Sequence, residues 1–498
     1  MQRLIPDDAF LYFVIARNAA RGLGISFDGT TPTNGFHPLW GLVLAPVFKL
    51  VADDWIAVRV ALGLGAVLDV LAALILARLA DRLVRGSGTV LLITYLLNPR
   101  LVLAAVSGLE TPLAVCALGV FLHTSVRVWR VGAPKDWGLM GLAGGLAFLA
   151  RSELAFVVLT VACAILLETT RSGGIVNRDV LPRLGAFTLG GSLAAGPWLL
   201  WSQAAVGTFL QSSAVAIPGV IQAMIASQAN VWHDLLWPMV NLSLHLTVSY
   251  PGVSWILFLG GLIMPRLQRD SPVEPIHQAT AVPSSQRASS LQRDRFPRFL
   301  LWAPVLGCLL AVGVHTLVRW FIRPWYFVPL AASVALAAAL IGTPLLLRWS
   351  RRTGVVILVA FLLVMGLNGV RVIREQIYPG QADLYTAAVW LRGQSVPGTA
   401  VGAFNAGILG YFSGHPVVNL DGVVDWGAIH ARGQRQLVGY LVQRGGRWLV
   451  DWEGSIWGTF GPFLGMSPSQ LVEVRRFSEE DSVFGPVLLY DVQPVAGP

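Results

Sequence analysis

Apolar segments long enough to cross a bilayer, or nearly so, recur along this chain at about 57–77, 89–107, 110–127, 137–151, 153–168, 184–203, 250–265, 299–318, 325–347 and 354–373. Roughly twenty apolar residues of helix span a hydrocarbon core about 30 Å thick. Inside that core a spanning segment must satisfy its own backbone N–H and C=O groups, which leaves helices or closed barrels. Continuous runs of this length are helical. Composition agrees: 55% of residues are hydrophobic, only 13% are charged, and the mean hydropathy is +0.64, outside the soluble range.

Arginine placement orients the spans. Loops carrying Arg78, Arg82 and Arg85, then Arg127, Arg130 and Lys135, then Arg171, Arg178 and Arg183, then Arg266 to Arg298, then Arg348, Arg351 and Arg352, alternate with loops poor in arginine. The positive-inside rule puts all five in the cytoplasm and turns the N-terminal segment and the C-terminal 125 residues outward. The expected fold class is therefore a polytopic α-helical membrane protein of about ten transmembrane helices with an extracytoplasmic C-terminal α/β domain, placed in the cell (inner) membrane. The net charge of +9 is scattered between apolar segments, so it is no nucleic-acid footprint. Cys116, Cys163 and Cys308 all lie in apolar runs at spacings that fit no zinc site. No cleavable signal peptide is visible, so insertion is expected to rely on the spans.

The spans and their short loops form one expected domain, residues 1–373, and residues 374–498 form the other. Within the first, residues 1–52 are an outward acidic loop with interfacial helices, and 204–249 is an outward loop flanked by Trp201, Trp232 and Trp237. Residues 266–298, rich in Pro, Ser and Gln, read as a disordered cytoplasmic loop. In the second domain helices at QADLYTAAVWLRG, AGILGYFSG and AIHARGQRQLVGYLVQRGG alternate with strands at TAVGAF, PVVNLD and RWLVDW, a pattern that predicts a parallel sheet. The GAFNAG run is too weak to count as a phosphate-binding fingerprint.

The chemistry-bearing feature is PDDAFLYFVIARNAARG, which opens on adjacent carboxylates, Asp7 and Asp8. Pro6 and the acidic pair suit a helix N-terminus. Phe10, Phe13 and Val14 at helical spacing predict a helix lying on the membrane surface, apolar face down. An acidic helix start is ordinarily a cap. Two carboxylates, followed by a polar loop and a second interfacial helix at FHPLWGLVLAPVFKLV, also suit a site for a polar substrate carried on a lipid. Arg319 and Arg323 in VRWFIRPWYFVP sit at an outward span end, where the positive-inside rule does not place them. They are either a bidentate clamp for phosphate or arginines snorkelling to headgroups. Trp320, Trp325 and Tyr326 suit the interface beside a lipid tail. Glu110 opens an outward helix end, Arg151 and Glu153 can pair with each other, His37 is an interfacial hydrogen-bonding histidine or a phosphate or metal contact, and Asp421 suits a turn.

The acidic pair, Phe36-His37-Pro38, NPRLVLAAVSGLETPL, GLAFLARSEL and IRPWYFVP, in that order, resemble the GT-C superfamily of polytopic glycosyltransferases. Bacterial arabinofuranosyltransferases and the protein mannosyltransferase and aminoarabinose transferase group look most similar. The resemblance covers residues 1 to about 373, and AGILGYFSGHPVVNLDG is similar to the outward domain of many members. It implies a polyprenyl-phosphate sugar donor, a glycan, lipid or protein acceptor, an active site at the outer face and inversion at the anomeric carbon. By its match to the family's first acidic position Asp7 is expected to be the general base. Asp8 then orients it, hydrogen-bonds the acceptor, or shares a divalent cation with it, the one cofactor the pair admits. Glu110, His37, Arg151, Arg319, Arg323 and Tyr326 are the expected substrate contacts. One departure stands out: members have a transmembrane helix before the acidic pair, and here six residues precede it. The rival readings are a lipid or sugar transporter or flippase, which would place ionisable residues mid-membrane, and a non-catalytic scaffold, in which the acidic pair is idle.

Overall fold

The structure, a computed structural model, describes residues 5–171, 180–227, 296–318, 323–348, 380–394, 399–466, 468–477 and 484–493, with isolated residues between 356 and 378 and at 482. The expected span at 250–265, most of that at 354–373, residues 228–249 of the loop 204–249, most of the loop 266–298, and Arg319 lie outside the described residues. Two short helices, α1 (Asp7–Ala20) and α2 (Pro38–Leu50), precede α3 (Asp54–Leu83), α4 (Ser87–Leu96), α5 (Pro99–Ala105), α6 (Thr111–Val131), α7 (Pro134–Ala150), α8 (Leu154–Arg171), α9 (Val180–Val206) and α10 (Ser212–Ser227). After these come α11 (Phe299–Leu317), a short 3₁₀ turn at Pro324–Phe327 and α12 (Val328–Arg348). Among the described residues four runs are long and apolar enough to cross a membrane: Asp54–Leu83, Thr111–Val131, Phe299–Leu317 and Pro324–Leu346. The chain is a multi-pass membrane protein.

The span expected at 89–107 is broken. Asn98 is extended, its side chain caps the Arg100 N–H at 3.0 Å, and Pro99 starts the next helix, so α4 and α5 meet at 72°. A proline cannot accept the preceding helix, and the residue before it is driven out of the helical region. Tyr95 on α4 donates to Asp69 on α3 at 2.7 Å, a buried polar contact that pins the break to its neighbour. Elsewhere glycine lets helices touch. A Cβ on Gly141 of α7 would lie 2.0 Å from the Phe187 carbonyl of α9, and one on Gly190 of α9 would lie 2.1 Å from the Gly138 carbonyl. Small residues at this spacing replace the hydrophobic drive that lipid removes.

The surface-lying α1 does not occur. Phe10, Leu11, Tyr12, Phe13, Val14 and Ile15 are all buried, because α1 is packed between α2 and the C-terminal domain. That domain contains α13 (Gln381–Arg392), β1 (Ala400–Ala403), α14 (Gly407–Phe412), β2 (Val417–Asn419), α15 (Trp426–Gly433), α16 (Leu437–Gln443), β3 (Gly446–Trp452), β4 (Leu471–Phe477) and β5 (Val487–Val492). Its sheet runs β2-β1-β3-β5-β4. The first three strands are parallel, as expected, and β5 and β4 add antiparallel at the edge. The expected helix through 428–446 splits into α15 and α16 at Arg435, whose φ of 56° is left-handed.

Candidate active site

One turn of α helix separates residues 3.6 apart, so Asp8, Leu11 and Tyr12 share a face of α1. That face lines a cavity of about 160 Å³. Phe36 and His37, leading into α2, form a second wall, and Glu110, before α6, a third. Arg151 and Glu153 from the α7–α8 turn, His315 of α11, Trp325 and Tyr326 of the 3₁₀ turn, and Val423 of the C-terminal domain close it.

A buried ionic knot lies inside. Arg151 donates through Nη1 to Glu110 at 2.7 Å and through Nη2 to Glu153 at 2.6 Å, and its guanidinium lies 4.8 Å from the centre of the Tyr326 ring. The pairing of Arg151 with Glu153 is thus present, but as part of the cavity wall and shared with Glu110. Burial works against an ionised Glu153, yet Arg151 beside it overrides that and holds it at about 2. The His37 Nε2 is 3.8 Å from Glu110, and burial lowers its pKa, favouring neutral imidazole. Asp8 opens onto this space. Burial raises its pKa, Arg323 works the other way, and Glu110 adds to the rise.

Asp7 is elsewhere. Its Oδ2 accepts the Gly407 N–H at 2.9 Å and its Oδ1 the Ile408 N–H at 2.7 Å, so the carboxylate caps α14 and faces away from the cavity. Burial pushes it up to about 7 against the pull of those two donors. Neighbours on a helix point about 100° apart, and the pair is divided between two environments. The expected base is therefore turned from the space where a substrate fits, and the two carboxylates do not converge on a shared cation. Among the described residues no group of three or more His, Cys, Asp or Glu is arranged to hold a metal ion.

Arg323 is exposed at the start of the 3₁₀ turn and acts electrostatically on both Asp8 and Tyr378. Tyr378 lines a second cavity of about 60 Å³ with Arg100, Leu103, Ala104, Pro324 and Val328, and Leu109 and Trp325 are common to both cavities. Arg100 and Tyr378 stand outside the expected site residues. Arg100 follows the Asn98-Pro99 helix break, which is a legible signal, and Tyr12 follows Asp8 by one helical turn. Asp421 accepts the Val423 N–H at 2.8 Å, the turn role its position suggests.

The arrangement of helices and C-terminal sheet matches two structures of ArnT from Cupriavidus metallidurans. The one bound to undecaprenyl phosphate is 13% identical, with 99% of this chain and 94% of that chain covered and a TM-score of 0.56. The apo state is 14% identical, with 98% and 94% covered and the same TM-score. This chain has the GT-C fold. An oligosaccharyltransferase from Archaeoglobus fulgidus aligns at 13% identity over 99% of this chain and 71% of that one, with a TM-score of 0.49. Residues 371–484 of this chain match a family described as a domain of unknown function, DUF8728. No curated protein sequence matches it.

Proposed function

We propose that this protein transfers a sugar from a polyprenyl-phosphate donor to a hydroxyl-bearing glycan, lipid or protein acceptor at the outer face of the membrane, with inversion. The observation that carries this reading is the open carboxylate of Asp8 in a cavity that also holds Glu110, Arg151, Glu153 and His37, beside a second cavity that shares Leu109 and Trp325 with it and is lined by Arg100, Tyr378 and apolar side chains. The GT-C fold supports it, as does a similar structure that binds undecaprenyl phosphate.

In this reading Asp8 takes the acceptor's hydroxyl proton as the oxygen attacks the anomeric carbon. The bond from that carbon to the phosphate oxygen breaks in the same displacement, which inverts the centre, and the electron pair leaves on the phosphate. A phosphate is a good leaving group, so positive charge matters more than a general acid. Arg323 supplies it, with Arg100 beside Tyr378 as the second cation. The Glu110 and Glu153 oxygens and the neutral His37 hold sugar hydroxyls, and the aromatic rings of Trp325 and Tyr326 cover the ring faces. The acceptor hydroxyl is presented by the polar cavity and the prenyl chain by the apolar one.

Purified protein offered a panel of radiolabelled polyprenyl-phosphate sugars should transfer or slowly hydrolyse at least one, and Asp8→Asn should not. Movement of intact donor across a proteoliposome membrane, with no bond broken, would replace this reading with a flippase.

A further inference from the structure

Asp7 takes no part in the cavity, yet it is buried, ionisable and covalently next to the residue that does. What it grips belongs to the domain of unknown function. Asp7 accepts the first N–H groups of α14, while Arg17, near the other end of α1, donates through Nη2 to the Gly410 carbonyl and through Nη1 to the Tyr411 carbonyl, both at 2.9 Å. A carboxylate thus meets the positive end of α14 and a guanidinium its negative end, the pairing a helix dipole favours. Between them Phe10 packs on Tyr411 and Phe412, with ring centres 5.6 and 5.4 Å apart. The two short helices run side by side in the same direction, held at both ends.

The approach is as close as a backbone allows. A Cβ on Gly407 would lie 2.1 Å from the Asp7 carbonyl oxygen, so only glycine fits there. Asp7, Phe10 and Arg17 form one stripe of α1, and Asp8, Leu11 and Tyr12 form another about 100° round. Fixing the first stripe fixes the rotation of α1, and so the direction of Asp8. A second contact joins the same domain to the cavity rim. Asn34 accepts from the Trp426 indole at 3.1 Å and from the Ser212 N–H at 3.2 Å, and Ser212 donates to the Val423 carbonyl at 2.7 Å.

We infer that the C-terminal domain aims the base: Asp7 is a positioning residue that, by gripping α14, sets the rotation of α1 and holds Asp8 in the cavity. This rests on the reading of Asp8 as base, and it gives the region matching DUF8728 a role in this chain, that of completing the catalytic centre.

A double-mutant cycle on the full-length protein separates positioning from mere stability. Asp7→Asn and Gly407→Ala are each made in the wild-type chain and in an Asp8→Asn chain, and single-turnover transfer is measured per folded molecule. In the wild-type background each should lower the rate about 10- to 100-fold, since a misplacement near 1 Å costs this order, with the donor KM within about threefold. In the Asp8→Asn background neither should lower the residual rate more than about twofold, because a residue acting through Asp8 has nothing left to position. Equal losses in both backgrounds, or no loss in the wild type, would overturn the inference. Should Asp7→Asn not fold, Gly407→Ala and Arg17→Gln leave every carboxylate in place and run the same cycle. An Asp8→Asn chain with wild-type activity would instead remove the base assignment, a result read from that single variant.

Discussion

Glu110 and Arg151 form an ion pair 2.7 Å long from which water is almost entirely excluded, with side chains 3% and 2% exposed. Glu153 completes it from the other side at 2.6 Å. Removing one partner of a buried pair leaves an uncompensated charge and costs about 3–5 kcal/mol. Arg151→Ala should therefore accumulate poorly or melt far below the wild type in detergent. Arg151→Lys should not restore it, because one ammonium lacks the fork that reaches both carboxylates. Wild-type melting for the lysine variant would show that charge alone suffices.

Asp8→Asn should reduce turnover at least about a hundredfold, within the 10²–10⁴ range of general-base catalysis. Binding of the lipid donor should change little. Because burial raises the Asp8 pKa, and only the ionised carboxylate accepts a proton, kcat/KM should climb with pH on a limb lying above the usual carboxylate value of about 3.9. A flat profile from pH 4 to 8, measured with donor in the subsaturating range, would take Asp8 out of the proton transfer.

Arg323→Ala should weaken donor affinity or turnover roughly 10- to 100-fold, the worth of a charge-assisted contact of about 1.5–3 kcal/mol. Arg323→Lys should recover part of the loss, since it keeps the charge and loses the planar fork. Titration of labelled polyprenyl phosphate at matched expression decides it. If lysine restores full affinity, Arg323 is a headgroup anchor, and Arg100 becomes the cation to examine.

Asp421 is pushed up to about 7 by burial, against the Val423 N–H and the Asn419 side chain. A carboxyl whose folded pKa exceeds its unfolded one stabilises the fold below the unfolded value, and that contribution is lost as pH rises through the folded value. Asp421→Asn can keep the turn through its amide oxygen and carries no charge to desolvate. It should match the wild type in melting temperature near pH 4 and exceed it by a few degrees, about 2–4 °C for each kcal/mol, at pH 8. Parallel melting curves across that range would expose the opposite slope.

Much of this was written in the chain. The helices over 57–77, 110–127 and 299–318 follow from apolar length alone, and the order of elements from 381 to 452 from alternating patterns closed by turns. The break at Asn98-Pro99 was legible too, but a hydropathy run averages over it. The edge strand β4 leaves little trace in the sequence because most of it, VEVRR, faces solvent and gives no buried stripe. Which of two adjacent carboxylates faces the cavity is not legible in the sequence. That choice is made by Gly407, whose N–H claims Asp7 and leaves Asp8 to the cavity.

The contact between Asp7 and Gly407 spans 400 residues of sequence. At a synthesis rate of about 5–20 residues per second, α1 waits roughly 20–80 s after its own translation before the backbone that will satisfy Asp7 exists. Throughout that interval Phe10 lacks Tyr411 and Phe412, although Phe48 can already cover Phe13 and the apolar helices that follow can already insert. The C-terminal domain thus sheathes a helix made long before it, and a chain cut short after α12 would display an unsheathed α1 to whatever quality-control machinery surveys the membrane.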